Sequence, residues 1–146
     1  MTQNIDGLHQ AAGSRTVYEL HGSVQRNTCM HCSKKYSLRE VIALRDEEGI
    51  PRCRACNAMI KPDVVLYEEG LDQATMFSAI QAIEQADMMI VAGTSLVVYP
   101  AAGLLQYYRG KRLVLINRDA TGMDGMADLV IHDSVGPVLE EAVSFL

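Results

Sequence analysis

The sequence predicts an α/β fold in which helices cover a parallel sheet, and three observations lead to this prediction. The second half alternates short apolar runs with segments of helical periodicity, an order typical of parallel sheets. The apolar runs are continuous, as expected for strands that are buried on both faces. A stretch containing all four cysteines interrupts the pattern and predicts a small module inserted into the α/β domain.

The individual elements follow from local signals along the chain. A strand is predicted at 63–67 after Pro62, and a helix at 72–86 with Asp72 as its N-cap. The later elements are a fully buried strand at 88–93, a helix at 100–109 that starts with Pro100, strands at 112–117 and 127–132, and a helix at 135–146. We therefore expect the α/β domain to cover 1–23 and 62–146, and the module to cover 24–61.

Composition and charge exclude several classes of function. The chain has 146 residues, of which 49% are hydrophobic and 21% charged, values typical of a globular protein. Its net charge is -5 and its 13 Lys and Arg form no dense cluster, which argues against nucleic acid as a direct partner. Neither a signal peptide nor a run long enough to cross a bilayer is visible, so a cytoplasmic protein without membrane attachment is expected.

The cysteines form two C-x2-C pairs, Cys29 with Cys32 and Cys53 with Cys56, separated by twenty residues. This spacing is typical of zinc ribbons, in which four thiolates surround one structural zinc ion. Two redox-active C-x-x-C motifs or unpaired buried thiols are the alternatives, but a redox motif is normally single and lies at a helix start. His31 lies between the first two cysteines and is expected to be a solvated loop residue.

Four polar loops could carry further chemistry. Gln3-Asn4-Ile5-Asp6 could bind a sugar or an amide, although a turn with Asp6 capping a helix is the simpler alternative. His21 precedes a glycine at a predicted strand end, and histidine suits proton transfer near neutral pH. The other two loops follow predicted strands, where ligands bind in doubly wound folds, and ordinary loop chemistry is their alternative. They are Gly93-Thr94-Ser95 and Asn117-Arg118.

Taken together, these motifs resemble the sirtuins, which are NAD-dependent protein lysine deacylases. The resemblance extends over essentially the whole chain and rests on TQNIDGLH, ELHGS, the two C-x2-C pairs, KPDVVLYEE, AGTSLVVYPAA and LINRD, in that order. It implies a Rossmann-like domain with an inserted zinc ribbon, and a transferase that binds NAD and an acyl-lysine protein or peptide between them. The acyl group would pass to ADP-ribose with release of nicotinamide.

The resemblance also implies roles for individual residues. His21 would be the catalytic general base on the ribose hydroxyls. The NAD site would comprise Gln3, Asn4, Ile5, Asp6, Gly93, Thr94, Ser95, Asn117, Arg118, Asp119 and Val135. The acyl-lysine tunnel would be formed by Val65, Leu66 and Tyr67, in a region where Tyr67 and Glu68 replace the family's usual Phe and Gly.

The sequence departs from the family at its start. The family's first strand and its Gly-Ala-Gly-x-Ser loop, which cradles the pyrophosphate, have no counterpart in this sequence. We therefore expect a truncated Rossmann-like sheet that lacks the first βα unit and leaves apolar neighbours exposed. A catalytically incompetent zinc-stabilised fragment, acting as a peptide- or nucleotide-binding or interaction module, is the alternative to an enzyme.

Overall fold

The computed structural model describes residues 1–145. The chain divides into two compact units, Met1–Met76 and Phe77–Leu146, and each has its own sheet and its own core. The domain boundaries derived above from the sequence stay a prediction.

An antiparallel three-stranded sheet forms the centre of the first unit, with the strand order β2-β1-β3. The elements of this unit are α1 (Leu8–Ala11), β1 (Gly22–Cys29), β2 (Lys35–Ser37), α2 (Leu38–Ala43) and β3 (Ile60–Val64). Its buried cluster consists of Cys29, Tyr36, Val41, Cys53 and Ile60. Two of the four cysteines are therefore part of this core.

The strand β3 begins and ends three residues earlier than the sequence predicts. Its ladder starts where Ile60 pairs with Cys29 and ends where Val64 pairs with Gly22. The prediction of 63–67 was wrong because it followed the apolar run, whereas pairing with β1 sets the limits. The chain leaves the sheet after Val64, and residues 66–70 are exposed.

A parallel three-stranded sheet forms the centre of the second unit, with the order β4-β5-β6. The elements are α3 (Gln73–Glu84), within which the division between the units falls, β4 (Met89–Ala92), a 3₁₀ helix (Ala101–Tyr107), β5 (Leu113–Ile116), a short 3₁₀ helix (Asp124–Met126), β6 (Leu129–Ile131) and α4 (Val135–Ser144). The predicted α/β class with a parallel sheet is confirmed.

The strand β4 is not fully buried, in contrast to the prediction. Ile90 is 49% exposed and Ala92 is also exposed, whereas Leu113, Leu115 and Ile116 of β5 are buried. The positions of the two strands in the sheet explain this difference in burial. Strand β5 pairs with a strand on each side, whereas β4 pairs with β5 alone among residues 1–145. This agrees with the expectation of exposed apolar neighbours.

Two predicted helices differ in detail. The segment after Pro100 is a 3₁₀ helix that ends at Tyr107, with Ala101, Ala102, Leu104 and Leu105 buried. The last helix ends at Ser144, and the final residue of its predicted range lies outside the described residues. No helix in residues 1–145 combines the length and the apolar character that a membrane span requires.

Asp72 caps α3 as predicted, because its Oδ2 accepts hydrogen bonds of 2.7 Å from the N–H and the hydroxyl of Thr75. The Thr75 N–H holds the pKa of Asp72 below its ordinary value of 3.8. We expect Asp72→Ala to lower the free energy of unfolding at neutral pH. Because the folded pKa is depressed, the difference between variant and wild type should shrink as the pH falls below 3.8.

Denaturant titrations at several pH values measure this difference. Gln73→Ala, one residue further into the same helix, is the control and should show no pH-dependent difference. A stability difference for Asp72→Ala that is unchanged in acid would contradict the capping role of the carboxylate.

Candidate functional site

The start of the chain folds back alongside the residues that lead into β1. The Thr2 N–H donates to the Tyr18 carbonyl at 2.9 Å, and the Leu20 N–H donates to the Thr2 carbonyl at 3.0 Å. Further along, the Val24 N–H donates to the Ile5 carbonyl at 3.0 Å. These bonds bring the segment 3–6 next to His21, so two motifs that are distant in sequence form one site.

His21 is half-buried, and its Nδ1 lies 3.1 Å from the carbonyl oxygen of Gln3. A carbonyl oxygen accepts and never donates, so this hydrogen bond assigns the proton to Nδ1. The other ring nitrogen, Nε2, is then unprotonated in the neutral ring. The arrangement can present Nε2 as a general base, with the backbone of Gln3 fixing the tautomer.

The backbone conformation and the surroundings of Gly22 explain why His21 is followed by glycine. Its φ is +75°, and a Cβ at this position would overlap the carbonyl oxygen of Asp63 in β3. Glycine is the residue without a Cβ, so it allows β1 and β3 to approach here. The His-Gly pair thus places the imidazole at the point where β1 begins.

The side chains of the first polar loop have different local roles. Asp6 accepts a hydrogen bond of 2.9 Å from the Leu8 N–H and so forms the turn that the alternative predicts. Asp6 is not the cap that this alternative expected, because the N-cap of α1 is Gly7. Asn4 and Asp6 are exposed, whereas Gln3 and Ile5 are half-buried. The exposed amide and carboxylate therefore remain accessible to a ligand beside His21.

Val65 adjoins His21 through the backbone, since its N–H donates to the His21 carbonyl at 3.0 Å. The next two residues, Leu66 and Tyr67, are exposed. A turn follows in which Glu69 accepts from the Leu66 N–H at 2.9 Å. The three residues assigned to the acyl-lysine tunnel therefore begin next to His21 and continue onto an exposed surface.

Glu68 has a φ of +71°, in the left-handed region that favours glycine. The sirtuin pattern that this sequence resembles has glycine at this position, and glycine is the residue that adopts a positive φ without strain. We expect Glu68→Gly to raise the free energy of unfolding by up to about 1 kcal/mol.

Chemical denaturation measures this effect, and the adjacent Glu69→Gly is the matched control. The control should be destabilising, because it removes the acceptor of the Leu66 N–H and adds a glycine where φ is not positive. A destabilising Glu68→Gly would contradict the account of strain.

The second unit gathers the other predicted residues at the carboxyl ends of its parallel strands. Gly93 follows β4 and its N–H donates to the Ile116 carbonyl at 3.0 Å, while the Asn117 N–H donates to the Ile131 carbonyl at 3.1 Å. A Cβ at Gly93 would lie 3.6 Å from Cγ2 of Val135, the first residue of α4. This is the edge at which doubly wound sheets bind nucleotides.

The side chains at this edge can bind a sugar or a phosphate. Thr94 Oγ1 accepts from the Leu96 N–H at 3.2 Å, and the Asn117 amide donates to the Asp119 carbonyl at 2.8 Å. Ser95, Arg118 and Asp119 are exposed. Hydroxyl donors, an amide and a cation thus lie on the loops of neighbouring strands.

His132 also lies at this edge, although the sequence patterns did not identify it as a candidate site residue. Its Nδ1 donates to the Asn117 carbonyl at 3.3 Å, and its Nε2 lies 3.4 Å from the Asp124 carboxylate. The hydrogen bond from the Thr121 hydroxyl is the main cause that lowers the pKa of Asp124. The nearby His132 makes a smaller contribution in the same direction. Its position at the end of the predicted strand 127–132 was the signal that could have identified it.

The two C-x2-C pairs form two turns of the same geometry. The Cys29 N–H donates to the Lys34 carbonyl, and the Cys53 N–H donates to the Ala58 carbonyl in the corresponding place, at 2.9 and 2.8 Å. The residue after each second cysteine is left-handed, with φ of 60° at Ser33 and 61° at Asn57. Such paired turns direct the sulfurs of both motifs toward one point.

The four sulfurs fit one zinc ion. They lie within 4.8 Å of one another, with 3.4 Å between Cys29 and Cys56 and 3.6 Å between Cys32 and Cys53. A tetrahedron with Zn–S bonds of about 2.3 Å has sulfurs about 3.8 Å apart. All four cysteines are free thiols, and the close pairs join different C-x2-C motifs, which favours zinc over two redox motifs.

The Cys53 sulfur has a side-chain hydrogen-bond partner outside the four cysteines, the Tyr36 hydroxyl. It is buried, the Tyr36 hydroxyl lies 3.1 Å from it, and the Ala55 N–H donates to it at 3.4 Å. The Tyr36 hydrogen bond is the main cause that lowers the pKa of Cys53 to about 6. A thiol with this pKa is a thiolate at neutral pH, which is the form that binds zinc.

Comparison with known proteins gives matches over nearly the whole chain. A family model described as "Sir2 family" matches residues 1–100. Proteins of Clostridium acetobutylicum and Clostridium perfringens, both named NAD-dependent protein deacetylase, are 58% identical over 143 residues and 56% identical over 144 residues. Each alignment covers 98% of this chain, and the chain spans 58% of the length of each of these relatives.

Solved structures agree with the sequence matches. A structure described as "Sir2-p53 peptide-NAD+" aligns with a TM-score of 0.89 and 40% identity, over 98% of this chain and 60% of that one. Another, "Structure of Sir2Tm bound to a propionylated peptide", has a TM-score of 0.89 and 41% identity, over 98% of this chain and 61% of that one.

Proposed function

Since the chain belongs to the Sir2 family, we propose that it carries out NAD-dependent removal of acyl groups from protein lysines. The observation that carries this proposal is the hydrogen bond between His21 Nδ1 and the Gln3 carbonyl, which leaves Nε2 available as a base. Relatives named NAD-dependent protein deacetylases, at 58% and 56% identity, support it. The acyl group would pass to ADP-ribose with release of nicotinamide.

In this proposal the first unit holds the reacting end of the complex. Bound NAD would supply the ribose that receives the acyl group and nicotinamide as the leaving group, and one water molecule would supply the atoms that complete the acylated ADP-ribose. Nε2 of His21 would accept a proton from a ribose hydroxyl, with the ring held by the hydrogen bond between Nδ1 and the Gln3 carbonyl. Asn4 and Asp6 would hydrogen-bond the nicotinamide end and its ribose, with Ile5 between them.

The residues that bind the acyl-lysine substrate and the adenosine half of NAD complete the proposal. Val65, Leu66 and Tyr67 would line the acyl-lysine tunnel, which begins next to the backbone of His21. The adenosine half would contact the loops at the carboxyl ends of β4, β5 and β6. The residues proposed there are Gly93, Thr94, Ser95, Asn117, Arg118, Asp119 and Val135.

Zinc would have a structural role, because the four cysteine sulfurs lie within 4.8 Å of one another and would fill all four positions of its tetrahedron. We propose Cys29, Cys32, Cys53 and Cys56 as its ligands. Four reduced thiols also support the cytoplasm as the proposed compartment, since reducing conditions keep such a site intact.

The direct test incubates the 146-residue chain with NAD and an acetyl-lysine peptide, and quantifies nicotinamide by chromatography and the peptide by mass spectrometry. We expect equal amounts of nicotinamide and deacetylated peptide, and neither product when either reactant is omitted. Absence of both products at high protein concentration would contradict the proposal for this chain.

A non-catalytic binding module is the second candidate, because exposed polar side chains such as Asn4, Asp6 and Arg118 could bind a ligand without any reaction taking place. Calorimetric titrations with NAD and, separately, with the acetyl-lysine peptide distinguish the two. Binding of either ligand without product formation would support the module, and product formation would exclude it.

A further inference from the structure

The hydroxyl of Tyr36 lies between a sulfur of the metal site and a backbone N–H. Tyr36 is 5% exposed, and its hydroxyl oxygen is 3.1 Å from Cys53 Sγ. The Arg54 N–H donates to the same oxygen at 3.2 Å. A zinc-bound cysteine sulfur is a thiolate without a proton, so in the loaded site the Tyr36 hydroxyl is the donor of this hydrogen bond.

We propose that Tyr36 is a positioning residue of the zinc site, whose hydroxyl donates to Cys53 Sγ and thereby strengthens zinc binding. A thiolate bound to zinc keeps part of its negative charge, and a donor directed at the sulfur stabilises that charge. This inference concerns metal retention, so it can fail while the proposed deacylation holds, and the reverse is also true.

Burial leaves two of the four sulfurs dependent on protein donors. Cys32 and Cys56 are exposed, so water can donate to their sulfurs, whereas Cys29 and Cys53 are 1% and 3% exposed. Backbone N–H groups supply donors to Cys29. A buried polar atom needs a protein partner in place of water. Cys53 has the Tyr36 hydroxyl for this purpose, in addition to the more distant Ala55 N–H at 3.4 Å.

The backbone holds Tyr36 firmly in this position. It pairs with Asn27 in the β1–β2 ladder, and the Asn27 amide donates to its carbonyl at 3.4 Å. The next residue, Ser37, forms a capping box with Glu40 at the start of α2. Strand β2 and the start of α2 thus fix the position of the Tyr36 ring. Its hydroxyl contacts Cys53, which belongs to the second C-x2-C pair.

The test compares Tyr36→Phe with Tyr108→Phe in the full chain. Each variant removes one hydroxyl that accepts from a backbone N–H and donates to a second acceptor. For Tyr108 these partners are the Arg112 N–H and the Asp87 carbonyl, both at 3.1 Å in the second unit. The control therefore reproduces the loss of hydrogen bonds without touching a metal-site sulfur.

Two measurements are made on each variant: zinc affinity by competition with a chromophoric chelator, and the sulfur-to-metal charge-transfer band after cobalt(II) replaces zinc. For Tyr36→Phe we expect about 10- to 100-fold weaker zinc binding and a shifted charge-transfer band. Tyr108→Phe should match wild type in both. A Tyr36→Phe protein with zinc affinity within about twofold of wild type and an unshifted band would overturn the proposal.

A purely structural role for Tyr36 gives a different result, because it would lower the unfolding midpoint without moving the cobalt band. Should Tyr36→Phe fail to fold, wild-type protein loaded with ¹¹³Cd provides the test by NMR. The Tyr36 hydroxyl proton is expected to be protected from exchange and to show scalar coupling to cadmium through Cys53 Sγ. A rapidly exchanging, uncoupled hydroxyl proton would overturn the proposal.

Discussion

Replacing His21 with alanine is expected to lower peptide-dependent release of nicotinamide from NAD by about 10²–10⁴-fold, the usual contribution of a general base. The physical reason is the loss of Nε2, the ring nitrogen that the Gln3 carbonyl leaves unprotonated. The fold should survive, because the His21 carbonyl, which accepts from the Val65 N–H, is retained in the variant. Steady-state rates at saturating NAD and peptide give the measurement.

His31→Ala is the matched control for this prediction. His31 is exposed and is not part of the cluster of metal-binding atoms found in residues 1–145. Its replacement should leave nicotinamide release and zinc content unchanged. Equal activity of His21→Ala and wild type, with the same zinc content, would exclude His21 as the base.

Replacing Cys53 with serine is expected to abolish stoichiometric zinc binding and to unfold the ribbon around it. Cys53 is part of the buried cluster of the first unit, together with Cys29, Tyr36, Val41 and Ile60. A serine hydroxyl is a poor zinc ligand, and a module of this size depends on the metal for much of its folding free energy. Zinc analysis by mass spectrometry and circular dichroism measure the two effects.

Chelation of zinc from the wild-type chain supplies the comparison for this variant. The chelated protein should resemble Cys53→Ser, and added zinc should restore the wild-type signal in the chelated protein but not in the variant. A Cys53→Ser protein that keeps one zinc per chain and the wild-type unfolding transition would show that the ribbon does not need this ligand.

The zinc site and the class of the fold could be predicted from sequence because their signals are local. Two C-x2-C pairs specify two short turns, and the four sulfurs indeed lie within 4.8 Å of one another. The continuous apolar runs likewise predicted the parallel strands β4, β5 and β6. Asp72 was recognised as a cap because its partner, Thr75, is three residues away.

Local sequence patterns could not predict contacts between residues that are far apart in the chain. The bond between His21 and Gln3 joins residues eighteen apart and depends on the start of the chain folding back. The contact of Tyr36 with Cys53 joins two halves of the ribbon across seventeen residues. The limits of β3 depend on its pairing with β1, and the exposure of Ile90 depends on the number of neighbours of β4.

The central claim is that the Gln3 carbonyl holds His21 with its proton on Nδ1, so that Nε2 is the base. Long-range ¹H–¹⁵N correlation NMR of the zinc-loaded chain, with His21 assigned by comparison with His21→Ala, measures this tautomer directly. At a pH where the ring is neutral, we predict an Nδ1 shift that is typical of a protonated nitrogen and an Nε2 shift that is typical of an unprotonated one. A ring with its proton on Nε2, or one with the averaged shifts of free imidazole, would contradict the account.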